Sequence, residues 1–406
     1  MRVSTSLFAA GSRSRSAVKA PILGSTPKPK SGSVSALIPS ESIPWLRSLK
    51  STDLQRIARA TGIKSSGTKA VLLERIQCEL RSHVHGHVQS QAQDRSQHKS
   101  HSGDEPWRIL SIDMGIRNLA FAFLTVPCPF SRTTSGSWNE SQDQEQIQVQ
   151  LQRPYIPELQ AWRRLSVSDG LDLSNLPTPT PTPTPSSDSE SESLAKDKGK
   201  EKESYSPDTY ASNAYNLIKT LLSAYTPTHI LIERQRFRSG GSSAVQEWTL
   251  RVGVFEGMMH ATLHTLRVER GNIGIVEGVE PKRVVGFWDE IGRTGGGSGI
   301  VKLAVSASEK KPSAREVKKA KMGIVGGWVE GSLEGRYGKV IVGEDEAVRE
   351  LAGAYVRKWK GEKGKKVDIG KLDDLADCLL QGITWLEWQV MRERLVREGL
   401  QALDCT

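Results

Sequence analysis

The sequence predicts a mixed α/β fold, in which a sheet is flanked by helices and preceded by a small all-helical module. Three observations support this prediction. The segment RILSIDMGIRNLAFAFL (108–124) contains two apolar runs joined through Gly115, which outlines a pair of strands. Further along the chain, apolar strands alternate with long helical patterns, which is typical of a single α/β domain. Residues 43–81 instead carry two apolar stripes with helical spacing.

The positive charge of the chain is concentrated at its N-terminus. The 406-residue chain has a formal net charge of +10, and its first forty residues contain six Lys and Arg but no acid. This Ser- and Arg-rich composition predicts a mitochondrial transit peptide in residues 1–40, with a plain disordered tail as the alternative. No apolar run approaches the ~20 residues of a membrane span. The 4 cysteines are scattered, which argues against a disulfide framework or a zinc site.

The helical module is predicted in residues 41–82. Its two apolar stripes are separated by SSGTK, which supplies a turn and a helix start beside Lys64 and Lys69. The arrangement resembles the SAP family of small DNA-binding modules, and this resemblance implies DNA contacts by both lysines. The alternative is a helical hairpin that only packs on the main domain. Residues 83–106 are rich in His, Gln and Ser, which predicts a linker.

The main domain is predicted in residues 107–398. Beyond the first strand pair, strands are expected in QIQVQLQ (146–152), in THILIERQRFR (228–238) and in NIGIVEGVEPKRVVGFW (272–288), where a basic turn follows the strand. Long helices are expected near 244–266, 344–360 and 371–398. Two segments interrupt the pattern: a Pro/Thr-rich and then charged insertion at about 169–204, and a Gly/Lys-rich segment at about 291–345, expected to be loose with one helical piece.

Carboxylates stand at three places where they are costly. Asp113 interrupts an apolar strand and Glu233 ends another, whereas Asp373, Asp374 and Asp377 crowd into KLDDLADCLL. On a helical wheel the three aspartates share an arc of about 100°, which an ordinary solvated helix face also shows. Strand-end acids combined with a helical acid cluster form the ligand set that holds two Mg²⁺ ions for phosphodiester hydrolysis. Hard oxygen ligands favour Mg²⁺ or Mn²⁺ over zinc.

Five motifs together resemble the fungal mitochondrial Holliday-junction resolvases, a branch of the RuvC-like nucleases with an RNase H fold. They are SIDMGIRNLAF, LIERQRFRS, EWTLRVGVFEGM, PKRVVGFW and KLDDLADCLLQGITWLEW. The resemblance implies an RNase H-like sheet and a Mg²⁺-dependent endonuclease, with Mn²⁺ as a substitute, that cuts four-way DNA junctions during recombination of mitochondrial DNA. It also implies a homodimer in the mitochondrial matrix.

The same resemblance implies roles for individual residues. Asp113 and Glu233 match the catalytic acids at strand ends. Asp377 matches the metal ligand of the last helix, with either Asp374 or Asp373 as its companion. Contacts with the DNA backbone are expected from two basic segments, comprising Arg234, Gln235, Arg236, Arg238, Lys282 and Arg283.

Three alternatives stand beside this interpretation. A non-catalytic DNA-binding protein on the same scaffold would require the loss of an acid, and all the expected acids are present. A related nuclease with a different substrate preference is the second. An ATP-binding protein of the actin-like superfold is the third; IGRTGGGSGI (291–300) imitates its phosphate loop, but in lysine-rich, unpatterned surroundings. We therefore expect no nucleotide cofactor, and no membrane as a partner.

Overall fold

A six-stranded mixed sheet forms the centre of the main domain. The computed structural model describes residues 43–93, 105–127, 155–167, 206–235, 247–271, 273–294, 313–336, 338–362 and 369–403. The strands are β1 (Trp107–Asp113), β2 (Leu119–Val126), β3 (Glu158–Leu165), β4 (His229–Glu233), β5 (Ile275–Val279) and β6 (Ile341–Val342). Their order in the sheet is β5-β4-β1-β2-β3-β6. The predicted transit peptide, the strand predicted at 146–152 and the insertion at 169–204 lie outside the described residues.

The pairing of the strands places two acidic residues side by side, at the carboxyl ends of two neighbouring strands. β1 and β2 are antiparallel, with Asp113 opposite Ala120, which confirms the strand pair predicted around Gly115. A Cβ on Gly115 would lie 2.8 Å from the carbonyl oxygen of Asn118, so this tight turn requires glycine. β4 runs parallel to β1 on its other side. The carboxyl ends of β1 and β4 therefore share one edge of the sheet, and Asp113 and Glu233 end these two strands.

The described part of the chain contains eight α-helices. They are α1 (Ser51–Ala60), α2 (Lys69–Gln93), α3 (Pro207–Tyr225), α4 (Glu247–Arg270), α5 (Pro281–Thr294), α6 (Ala314–Leu333), α7 (Glu346–Lys360) and α8 (Leu372–Glu398). Two short 3₁₀ helices, Pro44–Ser48 and Gly399–Leu403, complete the list. The segment predicted as a basic turn after β5 is the start of α5, because Pro281 is followed by a helical pattern. None of these helices has both the length and the apolar character needed to cross a membrane.

The sheet is covered on both faces, which explains why the central residues of β1 and β4 are mostly apolar and buried. On one face, Ile112 and Phe121 pack against α3 and α4 through residues such as Phe255. On the other face, Trp162 and Leu124 pack against α5 to α8 in a separate cluster. The mixed α/β architecture predicted from the sequence is thus observed.

The helical module shares its core with the last helix of the main domain. Leu54, Ile57, Leu72 and Ile76 of the module form one buried cluster with residues that include Leu395 of α8. The module and α8 also approach closely at Gly62. Gly62 has φ +69°, and a Cβ there would lie 2.2 Å from the ring of Trp388. The module is therefore packed on α8 instead of being tethered at a distance.

The segment at 291–345, expected to be loose with one helical piece, contains such a helix, and this helix is firmly packed. Residues 314–333 form α6, which buries Val325 and Val329 in the main core. Its start is fixed by a capping box between Ser313 and Glu316. The glycines that suggested looseness serve close packing, since a Cβ on Gly326 would lie 2.5 Å from the ring of Trp359. Residues 295–312 lie outside the described ranges.

Candidate metal centre and nucleic-acid interface

Asp113 is a buried carboxylate at the carboxyl end of β1. Its burial raises the pKa of this carboxyl well above its usual range, and the hydrogen bond and charge of Glu233 raise it further. The charges of Asp377 and Asp374 act in the same direction. Burial and the neighbouring carboxyl groups therefore both disfavour the ionised form of Asp113.

Glu233 is held at the end of β4 by contacts that join it to the end of β1. Its Oε2 accepts a hydrogen bond from the backbone N–H of Met114 at 3.3 Å and one from Nε2 of Gln235 at 3.4 Å. Gln235 also donates to the carbonyl oxygen of Met114 at 3.3 Å. Its own backbone N–H donates to Glu256 of α4 at 2.9 Å. These bonds fix the side chain of Glu233 next to Asp113.

Buried polar contacts bring the start of α8 onto the strand that carries Asp113. Ser111 donates its hydroxyl to the carbonyl of Cys378 at 2.7 Å, and Gln381 donates to the carbonyl of Ile112 at 3.2 Å. Gly382 permits the close approach, since a Cβ there would lie 2.8 Å from Cδ1 of Leu124. Residues 373–377 of α8 therefore lie beside the end of β1.

Each aspartate at the start of α8 has a basic partner from another element. Lys318 of α6 lies 2.6 Å from Oδ2 of Asp373, and Lys321 of α6 lies 2.5 Å from Oδ1 of Asp377. Arg164 of β3 contacts Oδ2 of Asp374 at 3.3 Å. None of these three basic residues was predicted to lie at the site. Their contacts join positions far apart in the chain, and no local motif marks them.

The basic partners leave the three aspartates electrostatically different. Burial raises the pKa of Asp374 to about 6, helped by the charge of Asp373 and opposed by Arg164. Burial likewise raises the pKa of Asp377, against the effect of Lys321. Burial also acts on Asp373, but the hydrogen bond and charge of Lys318 outweigh it and lower its pKa. Asp374 and Asp377 are among the charges that raise the pKa of Asp113.

The donor chemistry of this site fits a hard divalent cation. Carboxylate oxygens from Asp113, Glu233, Asp374 and Asp377 are the ligands that Mg²⁺ and Mn²⁺ prefer. A cation would also favour the ionised form of Asp113, whose pKa is raised by burial and by the neighbouring acids. Within the described ranges, however, no three such side chains already converge as a ligand set. The ion pairs of Asp374 and Asp377 with Arg164 and Lys321 are consistent with this separation.

The residues predicted to contact nucleic acid lie in different surroundings. Lys64, Lys69, Arg234 and Lys282 are exposed. Arg283 instead donates to the carbonyl oxygen of Gly62 and to Glu280, both at 3.1 Å, and so joins α5 to the helical module. Arg236 and Arg238 lie outside the described residues.

A small cavity opens next to the carboxylates. It has a volume of about 170 Å³ and is bordered by the turn after β1, by Gln235, by Asp374 and by the start of α4. Trp248 of α4 lines it with 39% of its surface exposed, and the guanidinium of Arg117 lies 5.2 Å from its ring centre. The helical pattern near 244–266 does not by itself show that this ring is exposed.

Comparison with known proteins agrees with the motifs. Residues 109–395 match the model of a family described as mitochondrial resolvase Ydc2 / RNA splicing MRS1. Residues 45–81 match the SAP domain, which confirms the predicted helical module. A cruciform cutting endonuclease 1, mitochondrial, from Schizosaccharomyces pombe is 24% identical over 350 residues, which cover 85% of this chain and 94% of that protein.

Two solved structures are also similar. The yeast mitochondrial Holliday junction resolvase Ydc2 has 20% identity and a TM-score of 0.46, covering 87% of this chain and 98% of that chain. RuvC from Thermus thermophilus, in complex with a Holliday junction substrate, has 13% identity and a TM-score of 0.27, covering 70% of this chain and 96% of that chain. The family model spans most of the chain and includes all five acids of the site. The protein therefore belongs to the mitochondrial resolvase Ydc2 / RNA splicing MRS1 family.

Proposed function

We propose that this protein is an endonuclease that cleaves four-way DNA junctions by metal-dependent phosphodiester hydrolysis. One observation carries the proposal: Asp113 is buried at a strand end among Glu233, Asp374 and Asp377, at a cost in stability that nucleic-acid binding alone does not require. The family description includes both resolvases and RNA-splicing proteins. A complete acidic set favours the first of these activities.

We propose Asp113, Glu233, Asp374 and Asp377 as the ligands of Mg²⁺, for which Mn²⁺ substitutes. Between the two candidate companions of Asp377, the proposal takes Asp374, because its charge is among those that raise the pKa of the buried Asp113. A divalent cation at such a site activates the attacking water and stabilises charge on the leaving oxygen. Gln235 keeps the carboxylate of Glu233 oriented through their hydrogen bond.

The DNA backbone is assigned to basic residues on two sides of the carboxylates. Arg234 and Gln235, continued by Arg236 and Arg238, follow Glu233 directly in the chain. Lys64, Lys69 and Lys282 present exposed amines on the helical module and on the adjoining start of α5. The packing of the module on α8 joins Lys64 and Lys69 to the main domain. Affinity for the junction is expected to fall steeply with salt, because phosphate contacts release counterions.

The protein is proposed to act as a homodimer, so that two sites cut opposing strands. The outer face of α4 supports this, because Leu250, Val254 and Val268 are 45%, 49% and 72% exposed. The small residues Gly257 and Ala261, between Val254 and Val268, are exposed as well. These five residues follow a spacing of three and four or its multiples, the pattern of a helix that packs on another helix. Two copies crossing near Gly257 would bury the same stripe of each partner.

The location is proposed to be the mitochondrial matrix. The acid-free N-terminal composition supports a transit peptide. The similar protein from Schizosaccharomyces pombe is named mitochondrial.

The substrate is tested with a synthetic four-way junction beside a linear duplex of the same sequence, in Mg²⁺. We expect paired, symmetric nicks in the junction only, and no nicks with Asp113→Asn although this variant still binds. Tight binding without cleavage in Mg²⁺ or Mn²⁺ would favour a non-catalytic DNA-binding protein. Preferential cutting of duplex or of another branched DNA would favour a related nuclease with a different substrate. A Val254→Glu variant, monomeric by sedimentation, is expected to lose the pairing of the nicks.

A further inference from the structure

Two lysines of α6 form ion pairs with two aspartates of α8. Lys318 and Lys321 lie three residues apart on α6, and Asp373 and Asp377 lie four residues apart on α8, so both pairs occupy the facing sides of their helices. The inner pair is the more enclosed. The side chain of Lys321 is 15% exposed, whereas that of Lys318 is 58% exposed.

The position of Lys321 is fixed by the packing of α6. Met322 follows Lys321 in the chain, and its carbonyl oxygen accepts a hydrogen bond from the hydroxyl of Tyr355 at 3.2 Å. Val325 and Val329 are fully buried one and two turns further on. Because α6 is part of the core, the fold holds the ammonium group of Lys321 at Asp377. This ion pair therefore differs from the flexible ion pairs that are typical of protein surfaces.

We propose that Lys318 and Lys321 are internal counter-ions of the carboxylate centre, and that a divalent cation binds by displacing Lys321 from Asp377. This inference rests on the metal centre proposed above. The ammonium group and a divalent cation compete for the same carboxylate, since two positive charges at one oxygen repel each other. The lysines therefore stabilise the metal-free protein and weaken the binding of the metal.

The test is Mn²⁺ binding to the full-length protein, by calorimetric titration and by thermal unfolding with EDTA or Mn²⁺. Lys321→Met is compared with Lys319→Met, which removes the same charge from an exposed position of the same helix. We expect Lys321→Met to unfold at a lower temperature in EDTA and to bind Mn²⁺ roughly tenfold more tightly, a change of about 1.4 kcal/mol in binding free energy. Lys318→Met should shift both quantities in the same direction by less, and provides the comparison if Lys321→Met fails to fold.

Two results would overturn the inference, and they differ in what they imply. Equal Mn²⁺ affinities for the wild-type protein, Lys321→Met and Lys319→Met would show that the lysines do not compete with the metal, and would leave the proposed nuclease intact. No Mn²⁺ binding by any of these proteins would overturn the metal centre as well.

Discussion

Replacing Asp374 by asparagine is expected to stabilise the metal-free protein while it abolishes cleavage. The carboxylate is mostly buried and lies near other acids, which raise its pKa from the usual 3.8 to about 6. At neutral pH Asp374 is therefore ionised in surroundings that favour its neutral form. Asparagine has nearly the same shape and removes that charge.

The size of the effect follows from the pKa. A change from 3.8 to about 6 corresponds to about 3 kcal/mol in the free energy of unfolding. The contact with Arg164, 3.3 Å from the carboxylate, is already included in this pKa. Screening by solvent at the partly exposed carboxylate reduces the effect by about 1 kcal/mol. A net gain of about 2 kcal/mol raises Tm by about 2 to 4 °C in a protein of this size.

The pH dependence gives the sign of the effect. Between pH 3.8 and about 6 the folded protein retains a proton on Asp374 that the unfolded chain has lost. Stability of the wild-type protein therefore falls as pH rises through this window, and stays low above it. The advantage of Asp374→Asn should be complete at pH 7.5 and should shrink to about half near pH 5.

Thermal unfolding in EDTA at these two pH values measures the effect, with cleavage of a four-way junction measured beside it. Asp373→Asn is the matched control, because Lys318 lowers the pKa of Asp373 and its charge is favourable. This control should lower Tm at pH 7.5. If both variants lower Tm at pH 7.5, the electrostatic description of the centre is refuted.

Three further predictions concern the joint between module and domain, the DNA contacts and the packing of α6. Gly62→Ala should cost about 2 kcal/mol or more in unfolding free energy, because φ is +69° and Trp388 leaves no room for a Cβ; an unchanged Tm would contradict this. Lys64→Ala combined with Lys69→Ala should weaken junction binding and reduce its salt dependence while the cleavage rate of bound junction is unchanged. Gly327→Ala should stabilise by about 0.5 to 1 kcal/mol, since a Cβ there meets nothing within 4 Å; a loss of stability would show that α6 packs differently.

The acids of the site could be predicted because each breaks a local pattern. Asp113 interrupts an apolar run, Glu233 ends another, and KLDDLADCLL crowds like charges on one helix face. Strand ends and helix starts are local properties, so these residues were assigned to the correct elements. The sequence does not decide between Asp373 and Asp374 as the companion of Asp377, because their basic partners come from α6 and β3.

Features that depend on long-range packing were missed. β3 alternates only weakly between apolar and polar residues, and neither it nor Arg164 was expected. The glycines of α6 suggested looseness, whereas Gly326 permits close contact with Trp359. Lys321 looked like one of many lysines in a basic segment, and only the fold gives it a single partner. A sequence records which residue is small or charged, but not what lies opposite to it.

The central claim is that one metal-binding centre at the ends of β1, β4 and the start of α8 performs the cleavage. Anomalous diffraction from crystals grown with Mn²⁺ and a four-way junction tests it most directly. We expect a manganese peak bonded to carboxylate oxygens of Asp113 and of at least one of Glu233, Asp374 and Asp377, next to a phosphate of the DNA. A junction bound with no manganese at these carboxylates would contradict the account.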